Sequence, residues 1–249
     1  MNFRQIIKAQ RLANRVKFLD DGTRVIIRFN FTDRLEHLLL IISFITLAIT
    51  GMVQRYSDLT FATWIINQVF GGIDTVRVIH HVAALVMAVE TIFHFWRILM
   101  VIFVNREIGH MLPTTNDLKD TLHMIRFNLG LANERPKFDR FSAEEKVEYW
   151  ALIWGTLVMG ITGIIQWFPI EMTKILPGWI IPVSRAVHSW EAVLAVLAIL
   201  LWHMYHTVIK EQNLSIFKGY MSEEEMEHNH PLEYERIIEA YEWMRDLQN

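Results

Sequence analysis

The 249-residue chain has no cysteine, which excludes disulfides, Cys-ligated zinc, iron–sulfur clusters and the C-x-x-C-H attachment of c-type haem. Charge is scarce as well. Charged residues make up 20% of the chain against 52% hydrophobic ones, yet the mean hydropathy is only +0.22, so the apolar residues must be gathered in blocks, as in a membrane protein. The net charge is −3 and there is no basic low-complexity tract, so nothing points to nucleic acid. The amino-terminal segment MNFRQIIKAQRLANRVKFLDDG mixes charge throughout and has no continuous apolar core followed by small residues. It does not read as a cleavable signal peptide, and insertion falls to the first membrane helix.

Four apolar stretches long enough to cross about 30 Å of hydrocarbon lie at 37–54, 76–104, 148–168 and 181–209. The chain therefore reads as all-α, an integral membrane four-helix bundle forming one domain over 1–249, with a cytoplasmic middle loop and a tail at 211–249. Lys and Arg sort sharply between the connections. Residues 1–36, 105–146 and 207–249 hold eight, seven and four, whereas 55–77 and 169–185 hold two each. By the positive-inside rule both termini and the middle loop face the cytoplasm, in the bacterial inner membrane. Asp33 with Glu36 three residues on reads as a capping pair opening the first helix, Trp64, Trp167 and Trp179 mark the outer boundary, and Pro182 suits a helix start. In the middle loop Pro113, Asn116, Gly130 and Pro136 separate short amphipathic pieces. The acidic tail ends in an expected helix over SEEEMEHNHPLEYERIIEAYEWMRDL, and no internal sequence repeat stands out.

The third stretch has no histidine, whereas the others hold His37, His80, His94, His188 and His203, with His81 and His206 close by. An ionisable residue at membrane depth costs several kcal/mol unless it faces the protein interior and has a partner, so such a cluster marks a functional site. His80 and His94 are 14 residues apart, about 40° around the helix and about 21 Å along it. His188 and His203 are 15 apart, a similar rise with about 60° of drift. Two histidines on one face at that separation suit two haems stacked through the membrane, each held between facing helices. His80 and His188 match in depth near the outer side. His37, His94 and His203 compete for the two inner positions.

Arginines recur one turn from these histidines: Arg34 before His37, Arg77 before His80, Arg185 before His188 and Arg97 after His94. Haem propionates need cations near the membrane surface, and Arg suits carboxylate pairing; the alternative for these arginines is simple interfacial anchoring. Glu191, one turn from His188, could orient that imidazole. Glu191 and Glu90 could alternatively carry protons. His81 reads as structural and His206 as reaching the interface. His110, His123, His228 and His230 read as solvated or interaction-surface residues. Gly155, Gly160 and Gly163 read as sites of close helix contact.

The strings DRLEHLL, RVIHHVAALVM, FSAEEKVEYW, RAVHSWEAVLAVLAILLWHMY and HNHPLEYERI, taken together, resemble the four-helix membrane cytochrome b family that includes the gamma subunit of formate dehydrogenase and hydrogenase-type cytochromes b. The resemblance runs from Arg24 to Met244. It implies two haem b groups, with His80 and His188 matching the periplasmic-side ligands and His37 and His203 the cytoplasmic-side ligands. His94 falls where the family has no ligand and stays an alternative inner ligand. Ser142 stands in place of an Asn that helps bind quinone in the family. Residues 1–23 fall outside the resemblance.

The resulting expectation is a subunit that passes electrons between a periplasmic iron–sulfur or cytochrome c partner and menaquinone or ubiquinone, with Asp33, Glu36 and Ser142 as quinone-site and proton-entry candidates. Lipid is the other expected partner. The rival expectation is a non-redox membrane anchor or transporter with a histidine-lined proton or metal path.

Overall fold

The computed structural model describes residues 3–104 and 110–247; the start of the middle loop, 105–109, lies outside them. Four long helices match the four apolar stretches: α2 (Phe31–Arg55), α3 (Ile73–Phe103), α5 (Ala143–Trp167) and α6 (Ile180–Lys210), each long and apolar enough to cross a membrane. The remaining helices are α1 (Phe3–Ala13), α4 (Thr115–Asn128), α7 (Glu223–Asn229) and α8 (Pro231–Asp246). Short helical turns also occur at Thr60–Trp64, Pro169–Thr173 and Ser215–Lys218. The chain is an integral membrane helical protein, as its sequence implies.

One element departs from the all-α expectation. Strands β1 (Val16–Phe18), β2 (Arg24–Ile27) and β3 (Tyr220–Ser222) form a small antiparallel sheet in the order β1-β2-β3. Val16 pairs with Ile26, and Ile26 with Met221. The β1–β2 turn is built on Gly22 at φ 83°, a conformation that glycine adopts without steric cost. Strands of three or four residues are too short to show a period in the sequence, and β3 comes from the far end of the chain.

The chain divides into two compact units. One comprises Met1–Arg34, Glu107–Tyr149 and Asn213–Asn249, so the amino-terminal segment, middle loop and tail form a unit of their own. Its core joins Val16, Ile26, Met221, Met226 and Ile237, with Leu12, Tyr234, Ile238 and Tyr241 packed around them. Beside this core Glu233, 2% exposed, gathers Arg15 at 2.6 Å and Arg140 at 3.1 Å. Arg28, also 2% exposed, reaches Glu145 at 2.9 Å and stands 3.8 Å from Glu233. Burial alone would push the Glu233 carboxyl up, but Arg15 and Arg140 hold it below the usual carboxylate range. Gly219, at φ 90°, accepts the Arg28 and Phe29 amides on its carbonyl. A Cβ there would come within 3.3 Å of the Phe29 carbonyl and the Arg34 guanidinium.

Three local expectations change. The first membrane helix opens one turn earlier than expected. Asn30 and Asp33 cap it reciprocally, the Asn30 amide donating to Asp33 and the Asp33 amide to Asn30 Oδ1; Glu36 is inside the helix and takes no part. The tail is two helices, because Pro231 has no amide to continue α7 and instead starts α8. His230, expected at the surface, is 3% exposed at this junction, its Nδ1 on the Asp139 carbonyl at 2.8 Å. Burial and nearby Arg28 push its imidazole down to about 4.

The second unit comprises Leu35–Arg106 and Trp150–Gln212 and carries the membrane spans. Ser43, Thr50, Thr162 and Ser184 are buried in it, and each hydroxyl lies within hydrogen-bond reach of a carbonyl three or four residues back. That satisfies polar groups where no water is available. A small apolar cluster of Val53, Ala62, Ile66 and Val76 joins the end of α2 to the start of α3.

Candidate functional site

Within the membrane unit the histidines fall into two facing pairs. His80 on α3 and His188 on α6 have ring centroids 6.4 Å apart with planes at 66°. His37 on α2 and His203 on α6 are also 6.4 Å apart, at 45°. Two imidazoles bound to one iron through metal–nitrogen bonds of about 2.0 Å place their ring centres about 6.2 Å apart. Both pairs fit that geometry. Sequence spacing alone left His203 about 60° off the His188 face on ideal α-helical geometry. In the structure α6 changes to π-helical turns at Ala198–His203 and Tyr205–Lys210. A wider turn advances each residue by less than 100° and takes back part of that drift.

His94 is placed differently. Its Nδ1 stands 2.9 Å from Glu36 Oε2, while Arg97 donates to Glu36 Oε1 at 2.6 Å. Glu36 is 7% exposed, and both of its carboxyl oxygens have a hydrogen-bond partner. Glu36, Glu90 and His94 bring one ligand atom each within 4.8 Å of one another, a grouping able to hold a small cation or to exchange protons. His94 thus belongs to a carboxylate cluster rather than to a facing imidazole pair.

The arginines are not all placed as expected for propionate pairing. Arg97 is paired with Glu36 and Arg77 with Asp74, at 3.1 Å. Arg185 is exposed, and Arg34 packs beside Gly219. Arg55, passed over in the sequence, lies on the Trp190 ring at 4.5 Å with its Nε buried and lacking a hydrogen-bond partner among the described residues. Ser142 caps α5: its amide donates to Glu145 Oε2 at 2.7 Å and its Oγ accepts from the Glu145 amide at 3.2 Å.

Other residues singled out in the sequence are placed partly as expected and partly not. His81 stacks on Trp167 at 4.0 Å, a packing role. His206 bonds back to the Trp202 carbonyl at 3.1 Å. Gly163 and Gly155 do permit close approach: a Cβ would stand 3.4 Å from His188 Cε1 at the first and 3.0 Å from Glu191 Oε1 at the second. Gly160 has nothing within 4 Å. The hydrogen bond expected from Glu191 to His188 is made by Thr162, whose Oγ1 lies 2.9 Å from His188 Nδ1.

Thr50 holds His80 in the same way, at 2.8 Å, and Gly51 approaches His80 Cε1 as Gly163 approaches His188. Both sets belong to one string, Ile49-Thr-Gly-Met-Val-Gln54 and Ile161-Thr-Gly-Ile-Ile-Gln166. This I-T-G-x-x-Q repeat, each copy followed by R-x-x-H on the next helix, was the available sequence signal, and six residues were too short to read as a repeat without the fold.

The chain is similar to known proteins over most of its length. The chain is 24% identical over 219 residues, 88% of its length and 94% of the relative's, to the nitrate-inducible formate dehydrogenase cytochrome b556(Fdn) subunit of Escherichia coli. It is 22% identical over 222 residues, 87% and 95% of the two chains, to the formate dehydrogenase cytochrome b556(fdo) subunit of the same species. Residues 26–217 match the family described as prokaryotic cytochrome b561. A match over that much of the chain, on the helices that carry the facing histidines, establishes that it belongs to the prokaryotic cytochrome b561 family.

Proposed function

We propose that this membrane cytochrome b is a di-haem subunit that moves electrons between a periplasmic redox partner and the quinone pool. Family membership carries the coarser statement, a membrane electron-transfer protein with haem b. The finer reading rests on one observation, the two imidazole pairs at the same 6.4 Å separation. His80 and His188 hold the outer haem and His37 and His203 the inner one, and a bound haem supplies reversible one-electron chemistry. The two sites are roughly 20 Å apart along α6, a little under the ideal α-helical rise because of its π-helical turn.

The chain itself contributes orientation and charge. Thr50 and Thr162 face the outer ligands, and Arg55 and Trp190 flank the outer end of the helices. On the inner side Glu36, Arg97, His94 and Glu90 form a charged cluster one residue from His37, suited to bring protons from the cytoplasm to a quinone. Asp33 and Ser142 sit at the amino-terminal ends of α2 and α5. Positive-inside sorting supports cytoplasmic termini, and electron flow inward against the usual potential stores about 2.3 kcal/mol per 100 mV. The relatives are named as formate dehydrogenase subunits, which supports an iron–sulfur or cytochrome c subunit as the outer partner. Haem extraction from the purified chain tests the proposal. Two haem b per chain, both low-spin and reducible by a quinol, is the expected result; one or none refutes it.

A further inference from the structure

We infer that Thr50 and Thr162 are positioning residues that fix the tautomer and the ring plane of the two outer ligands, and thereby set the redox potential of the outer haem. The inference rests on the outer pair proposed above and concerns residues to which no role has been assigned. Thr50 Oγ1 is 2.6 Å from the Thr46 carbonyl and 2.8 Å from His80 Nδ1. Thr162 Oγ1 is 2.7 Å from the Val158 carbonyl and 2.9 Å from His188 Nδ1. A hydroxyl has a single proton, and a carbonyl can only accept. Each threonine therefore donates to its own helix and offers a lone pair to the imidazole. Nδ1 must then carry the hydrogen, which leaves Nε2 with the lone pair that binds iron.

Two further parts of the repeated string hold the hydroxyl and ring in register. Gly51 and Gly163 let each imidazole edge lie against the helix, where a Cβ would stand 3.4 Å from Cε1. Gln54 and Gln166 donate to the Thr50 and Thr162 carbonyls, at 3.0 and 3.2 Å. Ring rotation is thus limited on both sides of the pair, at an interplanar angle of 66°. A neutral hydroxyl is a weaker acceptor than the carboxylate that often backs a metal-bound histidine, so it raises ligand basicity less. The device leaves Nε2 of both outer ligands free for iron.

The test uses the full-length haem-loaded protein, with redox potentiometry and electron paramagnetic resonance of each haem. Thr50→Val and Thr162→Val keep the side-chain shape and remove the hydroxyl; the Met159 carbonyl, which also faces His188, stays in place and makes the shift smaller at Thr162. Each should raise the outer potential, shift the outer low-spin resonance and leave the inner haem signal unchanged. That unchanged signal also reports that the variant has folded. Thr50→Ser and Thr162→Ser should restore both outer values. Valine variants whose outer potential and resonance match the parent would overturn the inference, as would serine variants as perturbed as the valine ones. Should either valine variant fail to fold, the same comparison is made with Thr→Ala at the other position. Failure of the ligand assignment itself reads out separately, as an outer signal that survives His80→Ala and His188→Ala.

Discussion

Three histidines compete for the two inner positions, and the pair of variants His37→Ala and His94→Ala separates them. His37 faces His203 at 6.4 Å, so under the proposed ligand assignment its loss would leave the inner iron with one imidazole. The inner low-spin spectrum should vanish, and extracted haem should fall toward one per chain. His94→Ala removes one partner of Glu36 but leaves Arg97 at 2.6 Å. Loss of a hydrogen bond to a charged group costs about 1.5–3 kcal/mol, and for a chain of this size each kcal/mol lowers the melting midpoint by about 2–4 °C. The expected His94→Ala protein therefore melts roughly 3–12 °C lower yet keeps two low-spin haems. Haemochrome assay, low-temperature difference spectra and a thermal melt in detergent measure all of this. The reasoning fails if His94→Ala abolishes the inner low-spin signal while His37→Ala preserves it. His203→Ala should remove the inner haem in either case; a surviving inner haem would point to His206.

A reporter fused after Asn249 should be active only in the cytoplasm and one inserted near Asp58 only outside; the opposite labelling would invert the electron path. His230 is held at about 4 against an ordinary 6.5, chiefly by burial and then by Arg28, with Glu145, Asp139 and Glu233 also facing it. The folded state then binds fewer protons than the unfolded state between those values. Its contribution, up to about 3 kcal/mol, is present above pH 6.5 and lost as pH falls toward 4. Hydrogen exchange of α8 should loosen across that window, and His230→Gln should flatten the dependence. Glu233→Ala leaves Arg15, Arg28 and Arg140 without their shared carboxylate and should cost about 3–5 kcal/mol, read as early proteolysis of the extramembrane unit; a wild-type digestion rate would show that the arginines find other partners.

Much of the candidate site is visible in the linear chain because membranes impose one-dimensional rules. Length and apolarity determine the four spans, and the cost of burying an ionisable group makes His37, His80, His188 and His203 stand out. Depth along a helix follows from counting residues, which is why the outer pair His80 and His188 could be matched without coordinates. The roles of Glu191 and His230 could not be read that way. Glu191 shares a helix face with His188, but a hydroxyl within hydrogen-bond distance of the imidazole comes from Thr162 on a different helix. His230 lies in a polar stretch whose burial depends on chain segments 91 residues and more away.

The sequence by itself determined the membrane class, the number and length of the spans, the family and the set of histidines from which the proposed ligands are drawn. All but the family depend on composition and on periodicity within single helices; the family was legible as a resemblance carried by strings such as RVIHHVAALVM and HNHPLEYERI. Only the tertiary structure decided which of His37 and His94 faces His203. It set His37 against His203 and His94 against Glu36, used π-helical turns to bring His203 round, and joined β1 and β2 to a strand about 200 residues on. The physical reason is that a helical period gives a residue's angle about its own axis but not the rotation of the neighbouring helix. That rotation follows from packing contacts between residues far apart in the chain, such as Thr50 with His80 and Thr162 with His188.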